Sequence, residues 1–208
     1  MPATILLPIQ SPAAIPTALE ILRQDGLVAF PTDTVYGLAA SFTSPLAIER
    51  LFTAKGREFN KAIAILIGEM DQIPLVSETF PERAALLAHK FWPGALTLVV
   101  SRLPSLPANL SPDATIGLRM PDHAFARRLL QAAGPLATTS ANISGMANPL
   151  SAADVLQQLD GRIDLLLDGG SLSGGIPSTV VGCTTPDLTI FRQGAISGAQ
   201  IMETLSQP

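Results

Sequence analysis

Short apolar runs rich in β-branched residues alternate with stretches of helical periodicity along the whole of this 208-residue chain. Such alternation is typical of an α/β domain, in which helices cover a sheet. It predicts strands at 27–31, 62–67, 96–101, 115–120, 136–139, 165–168, 178–183 and 188–192. It predicts helices at 15–24, 46–54, 82–91, 123–133, 152–159 and 199–205.

The predicted strands are irregularly spaced, and those late in the chain resemble hairpin pairs, so a purely parallel doubly wound sheet is disfavoured. We expect a twisted mixed sheet, parallel and antiparallel, flanked by helices. The chain shows no internal repeat and no long linker, so 1–208 is predicted to form a single domain. The Gly- and Ser-rich segment 171–177 is predicted to be a mobile loop.

The composition excludes several classes of protein. Hydrophobic residues make up 47% of the chain, enough for a substantial core, but runs such as 62–67 are too short to span a bilayer. Cys183, the single cysteine, cannot form an intramolecular disulfide, which fits a cytoplasmic protein. His89 and His123 are isolated, so no protein metal site is expected. The net charge of −4 lacks the basic excess usual in nucleic-acid-binding domains.

The scarce cations of this chain are concentrated at one place. Lys55 and Lys61 are two of only three lysines, and Arg57 lies between them beside a glycine. Such clusters usually hold an anion, most commonly phosphate. The alternative is a solvated helix end, where Lys and Arg meet the last carbonyl groups. The familiar loops G-x-x-x-x-G-K-[ST] and G-x-G-x-x-G are absent, so a nucleotide would need another arrangement.

Polar side chains also stand at three predicted strands or their ends. Thr32 follows a strand that ends at a proline, and its hydroxyl could face a site or cap a turn. Segment 138–144 carries five hydroxyl or amide side chains, which could form turns or hydrogen bond to phosphate and ribose. Arg119 lies in an otherwise apolar strand and needs a carboxylate or phosphate partner, because an unpaired buried charge is costly.

Together these segments resemble the YrdC-like family of threonylcarbamoyl-AMP synthases. Residues 30–38 match its opening motif, and Lys55-Gly56-Arg57 and Ser140-Ala141-Asn142 match its K-x-R and S-x-N pairs. Segments 91–97, 117–121, 177–181 and 192–194 also match, in order. The resemblance covers about 12–205 and implies the short, single-domain form of the YrdC-like fold, with a concave central cavity. Glu58 and Ala62 stand where the family usually has prolines, and Glu58 is expected to point outward.

The resemblance implies an ATP-dependent nucleotidyltransferase. L-Threonine and bicarbonate would form a carbamate, which reacts with ATP to give threonylcarbamoyl-AMP and pyrophosphate for the modification of tRNA position 37. Magnesium would arrive with ATP, and tRNA and downstream threonylcarbamoyl-transfer proteins would be partners, without any membrane. Because the carbamate and the α-phosphate are both anions, fixed cations must offset their repulsion.

The resemblance also implies roles for individual residues. Lys55 and Arg57 would be catalytic, and Lys55 is expected to be a surface cation whose loss leaves the fold intact. Arg119 would hold the threonine carboxylate through bidentate hydrogen bonds. ATP would be bound by Lys55, Arg57, Lys61, Thr115, Ser140, Asn142 and Arg192, and threonine by Thr32, Arg119, Thr139 and Ser178.

An RNA-binding module is the competing hypothesis, because the same basic cavity could hold a phosphate backbone. The acidic chain and its few aromatic residues argue against it.

Overall fold

The computed structural model describes residues 3–59, 61–185 and 187–206. Its strands are β1 (Ile5–Pro8), β2 (Val28–Phe30), β3 (Gly37–Ser41), β4 (Ala64–Leu66), β5 (Leu96–Ser101), β6 (Thr115–Arg119), β7 (Leu136–Ser140), β8 (Leu165–Asp168), β9 (Thr179–Gly182) and β10 (Thr189–Arg192). Its helices are α1 (Ala14–Arg23), α2 (Pro45–Lys55), α3 (Glu82–Phe91), α4 (Ala124–Ala133), α5 (Ala152–Leu159) and α6 (Gly198–Ser206). Short 3-10 helices lie at Met70–Leu75 and Ala108–Leu110.

These ten strands of the described residues form one sheet, in the order β1-β8-β2-β3-β7-β4-β6-β5-β9-β10. The pairs β1/β8, β2/β8, β4/β6 and β5/β9 are parallel. The other five pairs are antiparallel. The predicted mixed sheet is therefore confirmed, and its edges are β1 and β10.

Helices cover the two faces of the sheet unequally. On one face α1 and α4 pack over a small core, to which β8 contributes Leu165 and Leu167. On the other face α2, α3, α5 and α6 cover a larger core, to which β8 contributes Leu166. The small core contains no residue of β5, β6 or β9, so α1 and α4 leave that half of their face open. The open half is where the candidate site lies.

Helix α2 begins and ends at strong local signals. The Ser44 hydroxyl accepts a hydrogen bond from the Ala47 N–H, and Pro45 occupies the first turn. The helix stops at Gly56, which adopts the left-handed conformation with φ 57°. This stop determines that Lys55 belongs to the helix and Arg57 to the loop that follows.

All predicted elements are present with ends within two residues of those observed, but the sequence analysis missed β1 and β3. The β3 sequence, Gly-Leu-Ala-Ala-Ser, has no β-branched residue and so gives little strand signal. It forms a strand because β2 and β7 pair with it on both sides. The missed β1 is a short, largely exposed edge strand that ends in Pro8. No described helix is long and apolar enough to cross a membrane.

Segment 171–177 contains neither helix nor strand, but backbone hydrogen bonds tie it to its surroundings. Leu172 N–H donates to Leu150 O at 2.8 Å, and Gly175 N–H donates to Thr34 O at 2.8 Å. Gly174 packs so closely here that a Cβ would stand 2.5 Å from Thr34 O. The loop therefore supports the turn that contains Thr34.

Candidate active site

A cavity of about 500 Å³ opens on the half of the sheet that α1 and α4 leave uncovered. Alternate residues of the central strands form its floor, for example Thr97 and Val99 of β5. The intervening residues Leu96 and Leu98 belong to the larger core on the other face. Because strand side chains alternate between faces, the strands that build the core also carry polar groups into the cavity.

The cavity brings together eight of the eleven residues implied by the resemblance: Thr32, Arg57, Thr115, Arg119, Thr139, Ser140, Ser178 and Arg192. The charged side chains among its described lining residues are three arginines and Asp113. The cavity is therefore electropositive although the chain as a whole carries a net charge of −4.

Arg119 enters the cavity from β6 and is oriented by three protein acceptors. Its Nε donates to Gly94 O at 3.0 Å, Nη1 donates to Thr34 Oγ1 at 2.9 Å, and Nη2 forms an ion pair with Asp33. Burial lowers the pKa of Arg119, and the Asp33 carboxylate opposes this effect. A guanidinium has five N–H groups, so two remain for a ligand, the number that a bidentate carboxylate contact requires.

Arg192 reaches the same cavity because β10 contains a β-bulge. In a regular strand Arg192 would share the face of Ile190, and Phe191 would stand opposite Val180. The bulge places Arg192 opposite Val180 instead, which turns its side chain to the cavity. Its Nε and Nη2 donate to Ser178 O at 3.0 Å and Ser178 Oγ at 3.1 Å. Within the described residues it forms no ion pair with a carboxylate.

The Ser178 hydroxyl is also paired with that of Thr97, at 2.7 Å, and both side chains are buried. Two hydroxyls carry two protons, and their mutual hydrogen bond uses one of them. Because Arg192 occupies an acceptor position on Ser178, the second proton is left for a ligand oxygen. This wall of the cavity therefore supplies one hydroxyl donor beside an arginine.

Arg57 lines the cavity just beyond the end of α2. Its Nη2 donates to Ala62 O at 3.0 Å, while its buried Nε has no hydrogen-bond partner among the described residues. Burial lowers the pKa of Arg57. Arg57 therefore brings a positive charge to the cavity wall, where a backbone carbonyl fixes its Nη2.

Lys55 does not line the cavity, and the expectation that it is a surface cation is wrong. The side chain is 1% exposed, and Nζ donates to the carbonyl oxygens of Ser140 and Asn142 and to Asn142 Oδ1. Burial, together with the charge of neighbouring Arg57, lowers the pKa of Lys55 to about 7. Lys55 thus lies in the last turn of α2, as the helix-end alternative has it, but it is not solvated and anchors the turn after β7.

Lys61 and Asn142, which were expected to contact ATP, also lie outside the described cavity lining. Lys61 pairs with Glu58 at 3.6 Å, and both side chains are largely exposed, so Glu58 does point outward. Asn142 is buried and its Nδ2 donates to Ile143 O and Met146 O. It stabilises the loop that follows Ser140 and lies outside the described cavity lining.

Thr32 and Thr139 line the cavity, but their hydroxyl protons are already engaged by the backbone. Thr32 Oγ1 donates to Val35 O at 2.6 Å, and Thr139 Oγ1 donates to Ser140 O at 3.0 Å. Both readings of Thr32 from the sequence therefore apply, since it closes a turn and also borders the site. Thr32 Oγ1 also accepts from the Thr34 and Val35 N–H groups, so only the Thr139 hydroxyl oxygen is left as an acceptor for a ligand.

The structure adds Asp33, Thr97, Phe191 and Asp113 to the site, none of which was singled out from the sequence. A polar residue within an apolar strand marks Thr97, so alternation could have found it. Arg119 indicated that a carboxylate or phosphate partner must exist, but nothing local identified Asp33. The described residues contain no group of three or more His, Cys, Asp or Glu side chains that could hold a metal ion.

Comparisons with known proteins agree with this fold and cavity. The family model Sua5/YciO/YrdC, described as "Telomere recombination", matches residues 20–194. A Bacillus subtilis protein named threonylcarbamoyl-AMP synthase is 41% identical over 193 residues, covering 90% of this chain and 55% of that protein. A Mycobacterium tuberculosis relative is 38% identical over 200 residues, covering 95% of this chain and 92% of that protein.

The solved structure of Pyrococcus abyssi Sua5 complexed with L-threonine superposes with a TM-score of 0.92 at 35% identity. It covers 98% of this chain and 61% of that one. The chain thus spans a little over half the length of the Bacillus relative but nearly all of the Mycobacterium one. The matched region takes in both ends of the cavity, from Thr32 to Arg192. This chain therefore belongs to the Sua5/YciO/YrdC family.

Proposed function

We propose that this protein is a threonylcarbamoyl-AMP synthase, which forms threonylcarbamoyl-AMP and pyrophosphate from L-threonine, bicarbonate and ATP. The observation that carries the proposal is one cavity in which Arg57, Arg119 and Arg192 meet several hydroxyl groups. The names of relatives that align with most of the chain support the same activity. The product would serve the threonylcarbamoyladenosine modification at tRNA position 37.

The chemistry explains why three arginines are needed. The threonine amine attacks the bicarbonate carbon, water leaves, and a carbamate anion results. A carbamate oxygen then attacks the α-phosphorus of ATP, and the bond to pyrophosphate breaks. Two anions must approach each other, so positioned cations lower the barrier by offsetting both the repulsion and the charge that develops on pyrophosphate. Arg57 and Arg192 suit this role, because neither has a carboxylate partner among the described residues.

Arg119 suits a different part of the reaction. Three acceptors hold its guanidinium in place, and the two remaining N–H groups match a carboxylate such as that of threonine. Its charge is already balanced by Asp33, so it contributes orientation more than attraction. The complex of the Pyrococcus relative with L-threonine supports an amino-acid site in this fold.

Magnesium, bicarbonate, tRNA and the threonylcarbamoyl-transfer proteins also belong to this proposal. Magnesium would be a substrate component, carried by the ATP phosphates, because Mg²⁺ in such sites keeps most of its ligands from phosphate and water. Asp113 is the carboxylate of the described lining that could reach such an ion or its waters. A cytoplasmic location follows from the proposed role in tRNA modification.

Pyrophosphate release with each substrate omitted in turn tests the proposal. We expect release only when ATP, threonine and bicarbonate are all present. Release that is indifferent to threonine would refute the proposed reaction and indicate a nucleotide hydrolase. RNA affinity that falls steeply with salt, in a protein that turns over no ATP, would favour the RNA-binding hypothesis instead.

A further inference from the structure

Phe191 is an exposed aromatic residue at the wall of the cavity. Its side chain is 64% exposed, although burial of a phenylalanine normally stabilises a protein. It lines the cavity beside Arg192, its neighbour in β10. The β-bulge is the reason that both residues face the cavity, since neighbours in a regular strand face opposite ways.

The ring of Phe191 lies close to Gly182 of β9. A Cβ built on Gly182 would stand 2.9 Å from Phe191 Cε2 and 3.4 Å from Cζ. The ring therefore lies against the β9 backbone, where glycine leaves room for it. Any larger residue at position 182 would push the ring away. The exposed remainder of the ring is left for a ligand.

We propose that Phe191 stacks against the purine ring of ATP, an inference that rests on the proposed function. Purines stack readily on aromatic faces, and such contacts tolerate a mobile or solvent-exposed setting. Arg192 lies next to the ring and has no carboxylate partner among the described residues, so it can hold a phosphate of the same nucleotide. A flat apolar face beside a cation whose charge no described carboxylate balances is complementary to a nucleotide, whose base and phosphates lie on either side of its ribose.

Other exposed apolar residues do not share this arrangement. Ile176 and Met146 are about as exposed as Phe191, but neither is among the described lining residues of the cavity. Neither carries an aromatic ring. Position in the cavity, backbone support and an adjacent arginine are therefore combined at Phe191 alone among the exposed large hydrophobic residues that the structure describes.

Calorimetric binding of MgATP and of magnesium tripolyphosphate separates the base from the phosphates. We expect Phe191→Leu, which keeps an apolar side chain but removes the aromatic face, to weaken ATP binding about tenfold. Tripolyphosphate has no base, so its affinity should not change. Phe191→Trp should retain the ATP affinity of the wild type. Met202→Ala, which alters another exposed apolar residue, on α6 and outside the described cavity lining, serves as the control and should change neither affinity.

Each outcome bears on a different claim. Equal ATP affinity in wild type and Phe191→Leu overturns the stacking inference and leaves the proposed function standing. Equal losses for ATP and tripolyphosphate also overturn it, because Phe191 would then act on Arg192 and not on the base. A wild-type protein that binds neither ligand refutes the proposed function and the inference together.

Discussion

Replacing Lys55 with methionine should destabilise the folded protein, because methionine keeps most of the apolar stem but removes every N–H donor. Nζ donates to Ser140 O, Asn142 O and Asn142 Oδ1 from a position that is almost fully buried. Ser140 O retains the Thr139 hydroxyl as a donor, and Asn142 Oδ1 retains the Ser140 hydroxyl. The carbonyl oxygen of Asn142 keeps no other side-chain donor among the described residues.

The magnitude follows from these contacts. A buried acceptor that loses its donor costs about 1–3 kcal/mol, and each of the other two hydrogen bonds contributes roughly 1 kcal/mol. Removing a buried ammonium group relieves its desolvation and offsets part of this loss. We therefore expect Lys55→Met to lower the free energy of unfolding by about 2 kcal/mol. Lys55→Ala also removes three buried methylene groups, at about 0.8 kcal/mol each, and should cost about 4 kcal/mol.

Urea unfolding followed by circular dichroism measures both effects, with Lys61→Met as the matched control. Lys61 pairs with Glu58 on the surface, so its replacement should change the free energy of unfolding by less than about 1 kcal/mol. A Lys55→Met variant with wild-type stability would refute this reasoning, since it would mean that the hydrogen bonds of Nζ contribute nothing. It would also restore Lys55 as a candidate for direct contact with substrate.

Four further results are expected. Burial lowers the pKa of Lys55 to about 7, so above this pH the unfolded state binds a proton that the folded state does not. The free energy of unfolding of the wild type should therefore rise relative to that of Lys55→Met between pH 7 and about pH 10. If the difference between the two free energies stays constant over this range, the oxygen acceptors keep Lys55 protonated. Arg57→Ala should reduce the rate of pyrophosphate release about a hundredfold, because roughly 3 kcal/mol of transition-state stabilisation is lost, and should change the urea midpoint little. A normal rate in this variant would remove Arg57 from the mechanism. Asp33→Asn keeps an acceptor for Arg119, whereas Asp33→Ala does not, so the KM for threonine should rise about tenfold only in the alanine variant. The KM for ATP serves as the internal reference, and equal effects of the two variants on the KM for threonine would mean that Asp33 supplies charge and not orientation. Valine, which lacks the threonine hydroxyl, should be turned over up to about 10⁴-fold less efficiently, and equal kcat/KM values would show that the cavity reads shape alone.

Local sequence signals determined the kind and order of nearly all helices and strands. The hydroxyl cap of Ser44, Pro45 and the left-handed Gly56 bound α2 without help from the rest of the chain. Alternation in β5 and β6 likewise sorted core residues from cavity residues. The ordered motifs indicated the family, and eight of the eleven site residues implied by that resemblance line the cavity.

Tertiary structure alone decided which of these residues meet. Arg119 pairs with Asp33 because the chain brings the loop after β2 against the end of β6, 86 residues away. Lys55 turns inward because the loop after β7 offers it three oxygen atoms. Strand β3 forms because two neighbours pair with it, and Arg192 faces the cavity because β10 bulges against β9. A local pattern specifies which face a side chain occupies, but its partners depend on strand order and register, which belong to the whole sheet.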